Sequence, residues 1–235
     1  GKLDKAILLM EKARQKTGIS RSAVNWVQSN LGDMYGHAGR VRESYQCYLD
    51  VLKNEPADFH CLQGIAWIAF SHDGDPAAAQ KIISFIRQYY PEPGLCLQLA
   101  SFAASEGRRT EQEKMENHFL DQLSHQQYGD MYNQYLIELL LEKDALKDSA
   151  LQMAKREMQH RFTPETADRY AWALFCNADT ANAYQFAKAY VYRRSFEPIV
   201  QFHTAQIFAA AGDRRAAKEL LLSCRETAFE LGPVK

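Results

Sequence analysis

Ser71, His72 and Asp73 stand side by side in this sequence, a hydroxyl, an imidazole and a carboxylate in a row. Nucleophilic catalysis needs those groups to converge in space from different elements, and chain neighbours point different ways. Asp73 and Gly74 suit a loop, so the string reads as a helix end. His118 and His125 lie seven residues apart, a spacing that puts both on one helix face, while His37 and His160 are isolated. Imidazoles so placed default to solvated or hydrogen-bonded roles. Cys47, Cys61, Cys96, Cys176 and Cys224 are far apart and contain no CxxC pair. They make neither a zinc knuckle nor a redox motif, and read as small buried thiols on helices. Nucleotide, nucleophile-elbow and zinc-protease strings are missing from the sequence. No catalytic residue, metal site or cofactor is expected, and the chain reads as a non-enzyme.

Lys and Arg total 28 against 29 Asp and Glu, a formal net charge of −1. Neutralising phosphates asks for a basic surface, so nucleic acid is not an expected partner. Arg108-Arg109, Arg193-Arg194 and Arg214-Arg215 fall at turns or helix ends, where cations complement the helix C-terminal dipole. Aromatic residues at 11% and charged residues at 24% suit a folded chain rather than a disordered one. No apolar run approaches the roughly 20 residues that cross a bilayer. The opening GKLDKAILLMEKA is amphipathic and lacks a signal peptide's apolar core, though a trimmed chain would have lost one. Cysteine usage leans toward a reducing compartment.

The elements that must position any site follow a period of 34 residues. Leu31, Ile65 and Leu99 are 34 apart, and Tyr170-Ala171-x-x-Leu174 returns 34 later as Thr204-Ala205-x-x-Phe208. Ala178, Ala183 and Ala187 recur as Gly212, Ala217 and Leu221. Helical spacing of apolar residues, with Gly and Pro between the runs, predicts an all-α chain of roughly twelve helices paired as antiparallel hairpins. Ser22, Asp58, Asp75-Pro76, Thr163-Pro164, Asp179 or Thr180, and Glu197-Pro198 are the expected helix starts, and Thr110 with Glu113 reads as a capping box. Thr17-Gly18 is expected to break the first helix, an insertion falls around 124–127, and the last helix is expected to run to about Leu231.

The stretch Leu31–Pro56, LGDMYGHAGRVRESYQCYLDVLKNEP, resembles one unit of the tetratricopeptide-repeat family through Leu31, Gly32, Tyr35, Gly39, Ser44, Tyr48 and Pro56. Ile65, Ala66, Ala79, Ile83 and Pro91 carry the next unit, and Ala171, Leu174, Ala183, Ala187, Ala205, Gly212, Ala217 and Leu221 the last two. The resemblance implies a single α-solenoid, a right-handed superhelix, over residues 1–235. Its repeats are expected at 25–58, 59–92, 93–127, 128–163, 164–197 and 198–231, the units between 93 and 162 departing most from the pattern. Residues 1–14 read as the second helix of an incomplete repeat, with Gly1 at its turn and Ala6, Met10 and Ala13 on one face. Stacked hairpins bury what each alone would expose, so Ile7, Leu9 and Met10 call for a cover.

Such arrays present a concave groove lined chiefly by the first helix of each pair, and in this family it commonly holds a peptide or protein segment. The groove positions here are Trp26, Ser29, Asp33 and His37, then His60, Gln63, Trp67 and Phe70, then Asp168, Trp172 and Phe175, and last Phe202, His203 and Gln206. Aromatic anchors among a few polar groups are the usual makeup of a peptide site, although such aromatics also pack against neighbouring hairpins. The basic clamp with which co-chaperones of this family hold a C-terminal carboxylate is missing: its places hold Ser29, Asp33, Gln63, Trp67, Leu97 and Ser101. The leading expectation is a non-catalytic scaffold or adaptor that binds a protein segment in the groove. The alternative is the repeat portion of a larger enzyme or regulator whose catalytic or DNA-binding module lies outside this chain. A third expectation is self-association through the amino-terminal helix.

Overall fold

The structure is a computed structural model, and it describes residues 2–16, 18, 20–125, 128–226 and 228–232. Gly1, Thr17 and part of the 124–127 insertion lie outside the described residues. The described residues form fourteen α-helices and one short 3-10 turn, and no strand. They are α1 (Leu3–Arg14), α2 (Arg21–His37), α3 (Val41–Leu52), α4 (Phe59–Ser71), α5 (Pro76–Tyr89), α6 (Pro93–Ser105) and α7 (Arg109–His125). After these come α8 (Asn133–Leu141), the 3-10 turn Asp144–Leu146, α9 (Lys147–His160), α10 (Pro164–Cys176), α11 (Thr180–Tyr190), α12 (Pro198–Ala210), α13 (Arg214–Glu226) and α14 (Ala228–Leu231).

Several helix starts follow directly from residue chemistry. The side chains of Asp58, Asp75 and Asp179 accept hydrogen bonds from the amides of Cys61, Ala78 and Asn182 at 2.9, 2.9 and 3.2 Å. Each satisfies an amide that the first turn leaves without a partner. Prolines at 76, 93, 164 and 198 sit in first turns, where the missing N–H costs nothing. Two expectations are corrected. Ser20, not Ser22, caps α2, its hydroxyl accepting from the Ala23 amide at 3.2 Å. Thr110 lies inside the first turn of α7, which begins at Arg109. The last helix reaches Leu231 as expected, with Thr227, between the end of α13 at Glu226 and the start of α14 at Ala228, outside the described residues.

Consecutive helices pack as pairs, the arrangement of an all-α solenoid. The chain divides into two compact units, Gly1–Gln122 with Thr227–Lys235, and Leu123–Glu226. In the first, Ile83, Ile86, Leu95, Phe102 and Ala79 are buried together, and a second cluster joins Ile7 of α1 to Val27, Leu31 and Tyr35 of α2. In the second unit, Ala167, Ala171, Ala183, Ala187, Val200, Ile207 and Phe208 form the core. Ser44, Ala79, Ala183 and Ala217 hold corresponding places on second helices, and none is more than 3% exposed. Small side chains there let paired backbones approach closely.

The amino-terminal helix is covered in part, by α2. Ile7 is 3% exposed against α2, and the Tyr35 hydroxyl donates to Glu11 at 2.5 Å. Burial first, then this bond, pushes the Tyr35 hydroxyl up to about 12. Leu8 and Leu9 remain exposed.

Candidate functional site

In the first unit, α2 and α4 are neighbours as well as partners of their own second helices. Tyr48 of α3 is wedged between them. Gly32 and Gly64 face the two sides of its ring so closely that a Cβ at either would overlap it. The Tyr48 hydroxyl donates to Asp33 Oδ1 at 2.7 Å, and burial raises its pKa before the Asp33 contact adds to the rise. His60 Nε2 lies 3.0 Å from Asp33 Oδ2 and 3.1 Å from Oδ1. Asp33 thereby ties the second helix of one hairpin to the first helix of the next. The hydrogen bond to Asp33 raises the His60 pKa above its ordinary value, against an opposing effect of burial.

Beside this cluster is a cavity of about 330 Å³. Asp33, Gly36 and His37 of α2 form one wall, Gln63, Gly64 and Trp67 of α4 another, and Gln98 of α6 contributes from the next first helix. Phe229 and Glu230 of α14 complete the lining. The Trp67 indole N–H donates to the Phe229 carbonyl at 3.0 Å. The His37 Nδ1 lies 2.8 Å from Glu230 Oε1. A Cβ at Gly36 would stand 2.9 Å from the Phe229 ring, so glycine is what lets the ring settle there. Phe229 and Glu230 thus border the cavity, held by an indole donor, an imidazole and a bare backbone.

The expected groove residues separate by burial. Asp33, His37, Gln63 and Trp67 line the cavity, and His60 reaches it through Asp33. Trp26 is 61% exposed and does not line it. Ser29 is buried with its hydroxyl turned back to the Trp26 carbonyl at 3.1 Å. Phe70 is 2% exposed, packed on Phe102 at 4.5 Å and on Trp67 at 5.6 Å, and belongs to the core. In the second unit the structure brings Asp168, Trp172 and His203 together. His203 Nδ1 and Asp168 Oδ2 are 2.9 Å apart, both buried, and the Trp172 ring stacks flat on the imidazole at 4.2 Å. Burial raises the Asp168 pKa, with the His203 contact acting against it. Phe175 lies 5.3 Å from Trp172 and Phe202 6.5 Å from His203, while Gln206 is half-buried.

Phe229 and Glu230 escaped the sequence reading because the 34-residue pattern absorbed them into the last helix. A signal was present. Phe229 lies five residues beyond Cys224, about 140° round an α-helix from the buried face. A large aromatic so far off the face has to find a different surface.

Catalytic features are scarce. The described residues place no three His, Cys, Asp or Glu side chains together in a way that could hold a metal. Cys47, Cys61, Cys96 and Cys224 are buried thiols outside any disulfide and Cys176 is half-buried. Burial pushes each of the five upward, Cys47 to about 11, which keeps them protonated and unreactive at neutral pH. None of the helices in the described residues is long and apolar enough to cross a membrane.

The fold defined by these hairpins is that of tetratricopeptide-repeat proteins. A tetratricopeptide repeat protein of Parabacteroides merdae superimposes with a TM-score of 0.57 at 12% identity, covering 96% of this chain and 86% of its own. The human IFIT1 dimer with m7Gppp-AAAA matches at a TM-score of 0.58 and 16% identity over 94% of this chain. Yeast Tom70 matches at 0.54 and 14% identity over 96%. The chain spans 54% of the IFIT1 chain and 55% of the Tom70 chain. No family model matches the sequence, and no curated protein matches it.

Proposed function

We propose that this chain is a non-catalytic interaction module that binds a segment of another protein in the groove formed by α2, α4 and α6. The observation that carries this reading is the segment already lying there: Phe229 and Glu230 are held by Trp67, His37 and Gly36 over the cavity. A groove that seats one short segment through a backbone carbonyl, an aromatic ring and a carboxylate has the parts to seat another. Polar groups at Asp33, Gln63 and Gln98 set register, and Trp67 supplies apolar area and one hydrogen bond. The cavity lining contains carboxylates from Asp33 and Glu230 and neither Lys nor Arg among the described residues, which favours a polypeptide over a polyphosphate such as the m7Gppp-AAAA of the IFIT1 structure.

A photo-crosslinking residue placed at Gln63 tests this in cell extract. Adducts with a partner polypeptide are expected from that position, lost on Trp67→Ala and retained on Trp26→Ala, which lies outside the cavity. The same adducts from position 45, on the exposed Tyr45 of α3, or their survival in folded Trp67→Ala, would overturn the reading.

A further inference from the structure

The segment over the groove is more than a cover. Its three attachments are of different kinds, and each sits on a separate wall residue. The Phe229 carbonyl accepts from Trp67 Nε1 at 3.0 Å, the ring fills the space that Gly36 leaves open, and the Glu230 carboxylate meets His37 at 2.8 Å. Gly232 then runs across the Trp67 ring in the left-handed region, φ 72°, and a Cβ there would stand 3.1 Å from that ring. Turn geometry, ring, carbonyl and charge all fit one short sequence, Phe-Glu-Leu-Gly.

We infer that residues 228–232 are an intramolecular ligand of this groove, and that the groove's external ligand is a segment of the same chemistry: an aromatic residue followed by a carboxylate, bending over Trp67. This rests on the groove reading above and names its ligand class. The consequence is regulatory. A tethered segment competes at an effective concentration of millimolar order, so an external segment must outbid it or arrive when it is displaced. No rearrangement of the cavity walls on α2, α4 and α6 is required.

The test uses the full chain. A fluorescein-labelled peptide with the sequence of residues 225–232, RETAFELG, is titrated into the wild type and into Phe229→Ala/Glu230→Ala, with anisotropy as the readout. The double variant is expected to bind at least about tenfold more tightly than the wild type, since its own segment no longer competes. A peptide carrying Phe229→Ala is expected to lose binding. Trp67→Phe in the double variant keeps the ring but removes the donor, and is expected to weaken the peptide about threefold to tenfold. Glu230→Lys alone keeps Phe229 in place and is expected to give a smaller gain than the double variant. Equal binding by wild type and double variant overturns the inference, as does no binding by a double variant whose circular dichroism and melting match the wild type. The two readings fail separately. Partner adducts at Gln63 without peptide binding sink the ligand assignment and leave the groove. Loss of adduct specificity at Gln63 sinks the groove itself.

Discussion

At the scale of single residues, Asp33 shows how one carboxylate acquires several duties. It accepts from the Tyr48 hydroxyl and faces the His60 ring, and it also lines the cavity. The His60 pKa is raised in the folded chain, chiefly by its hydrogen bond to Asp33, with the Asp58 carboxylate adding a smaller push. A group whose folded pKa is raised contributes stability that is fully present below its unfolded pKa and lost as pH rises through the folded value. His60→Gln is therefore expected to destabilise the chain more at about pH 5.5 than at about pH 8, reckoned from an unperturbed imidazole near 6.5. The His60 side chain is 57% exposed, so solvent screening keeps the difference to no more than about 1 kcal/mol. Thermal melts of both proteins across that range check it, and a pH-independent gap would contradict it. The Asp168 and His203 pair belongs to a different class. It is almost fully buried under Trp172, and among the described residues one Asp168 oxygen has no hydrogen-bond partner. Removing either member alone would strand a buried polar group.

At the scale of elements, Tyr48 shows why this repeat carries glycine on its first helices. Its ring occupies the seam between α2 and α4, touching Gly32 on one side and Gly64 on the other. Gly64→Ala is expected to cost about 1–3 kcal/mol through overpacking, despite alanine's better helix propensity. Urea unfolding measures it, and Tyr48→Leu in the same chain should recover part of the loss because the two sites share a contact. A neutral or stabilising Gly64→Ala would show that the ring moves aside freely. Gly39, with φ 70° between α2 and α3, is needed for a separate reason: left-handed backbone disfavours any side chain.

At the scale of the whole molecule, charge bears on which kind of occupant the cavity takes. The chain carries a net charge of −1, and its Lys and Arg residues are scattered along the sequence. A capped or triphosphorylated oligoadenylate is expected to show no binding at about 0.15 M salt, because phosphate affinity comes mainly from clustered Lys and Arg releasing counterions. Anisotropy over a salt series checks this, and tight binding that falls steeply with salt would contradict it.

The sequence by itself determined the hairpins. Leu31, Gly32, Tyr35 and Tyr48 recur as a pattern because each unit must bury the same stripe, and capping residues such as Asp58, Asp75 and Thr163 mark helix starts through local hydrogen bonds. Those are short-range demands, visible within a few turns of chain. Repeat position also picked out Asp33, His37, Gln63 and Trp67, which line the cavity. It could not say that Phe70, Asp168 and His203, on the same nominal face, would be sealed by neighbours, since burial depends on how far the next hairpin leans. Nor could periodicity say what lies over Trp67. Phe229 is 162 residues away along the chain, and its place over the Trp67 wall depends on packing among helices that a 34-residue pattern does not encode. The tertiary structure alone decided that Phe229 and Glu230 line the cavity beside Trp67, because only packing brings chain so distant in sequence together.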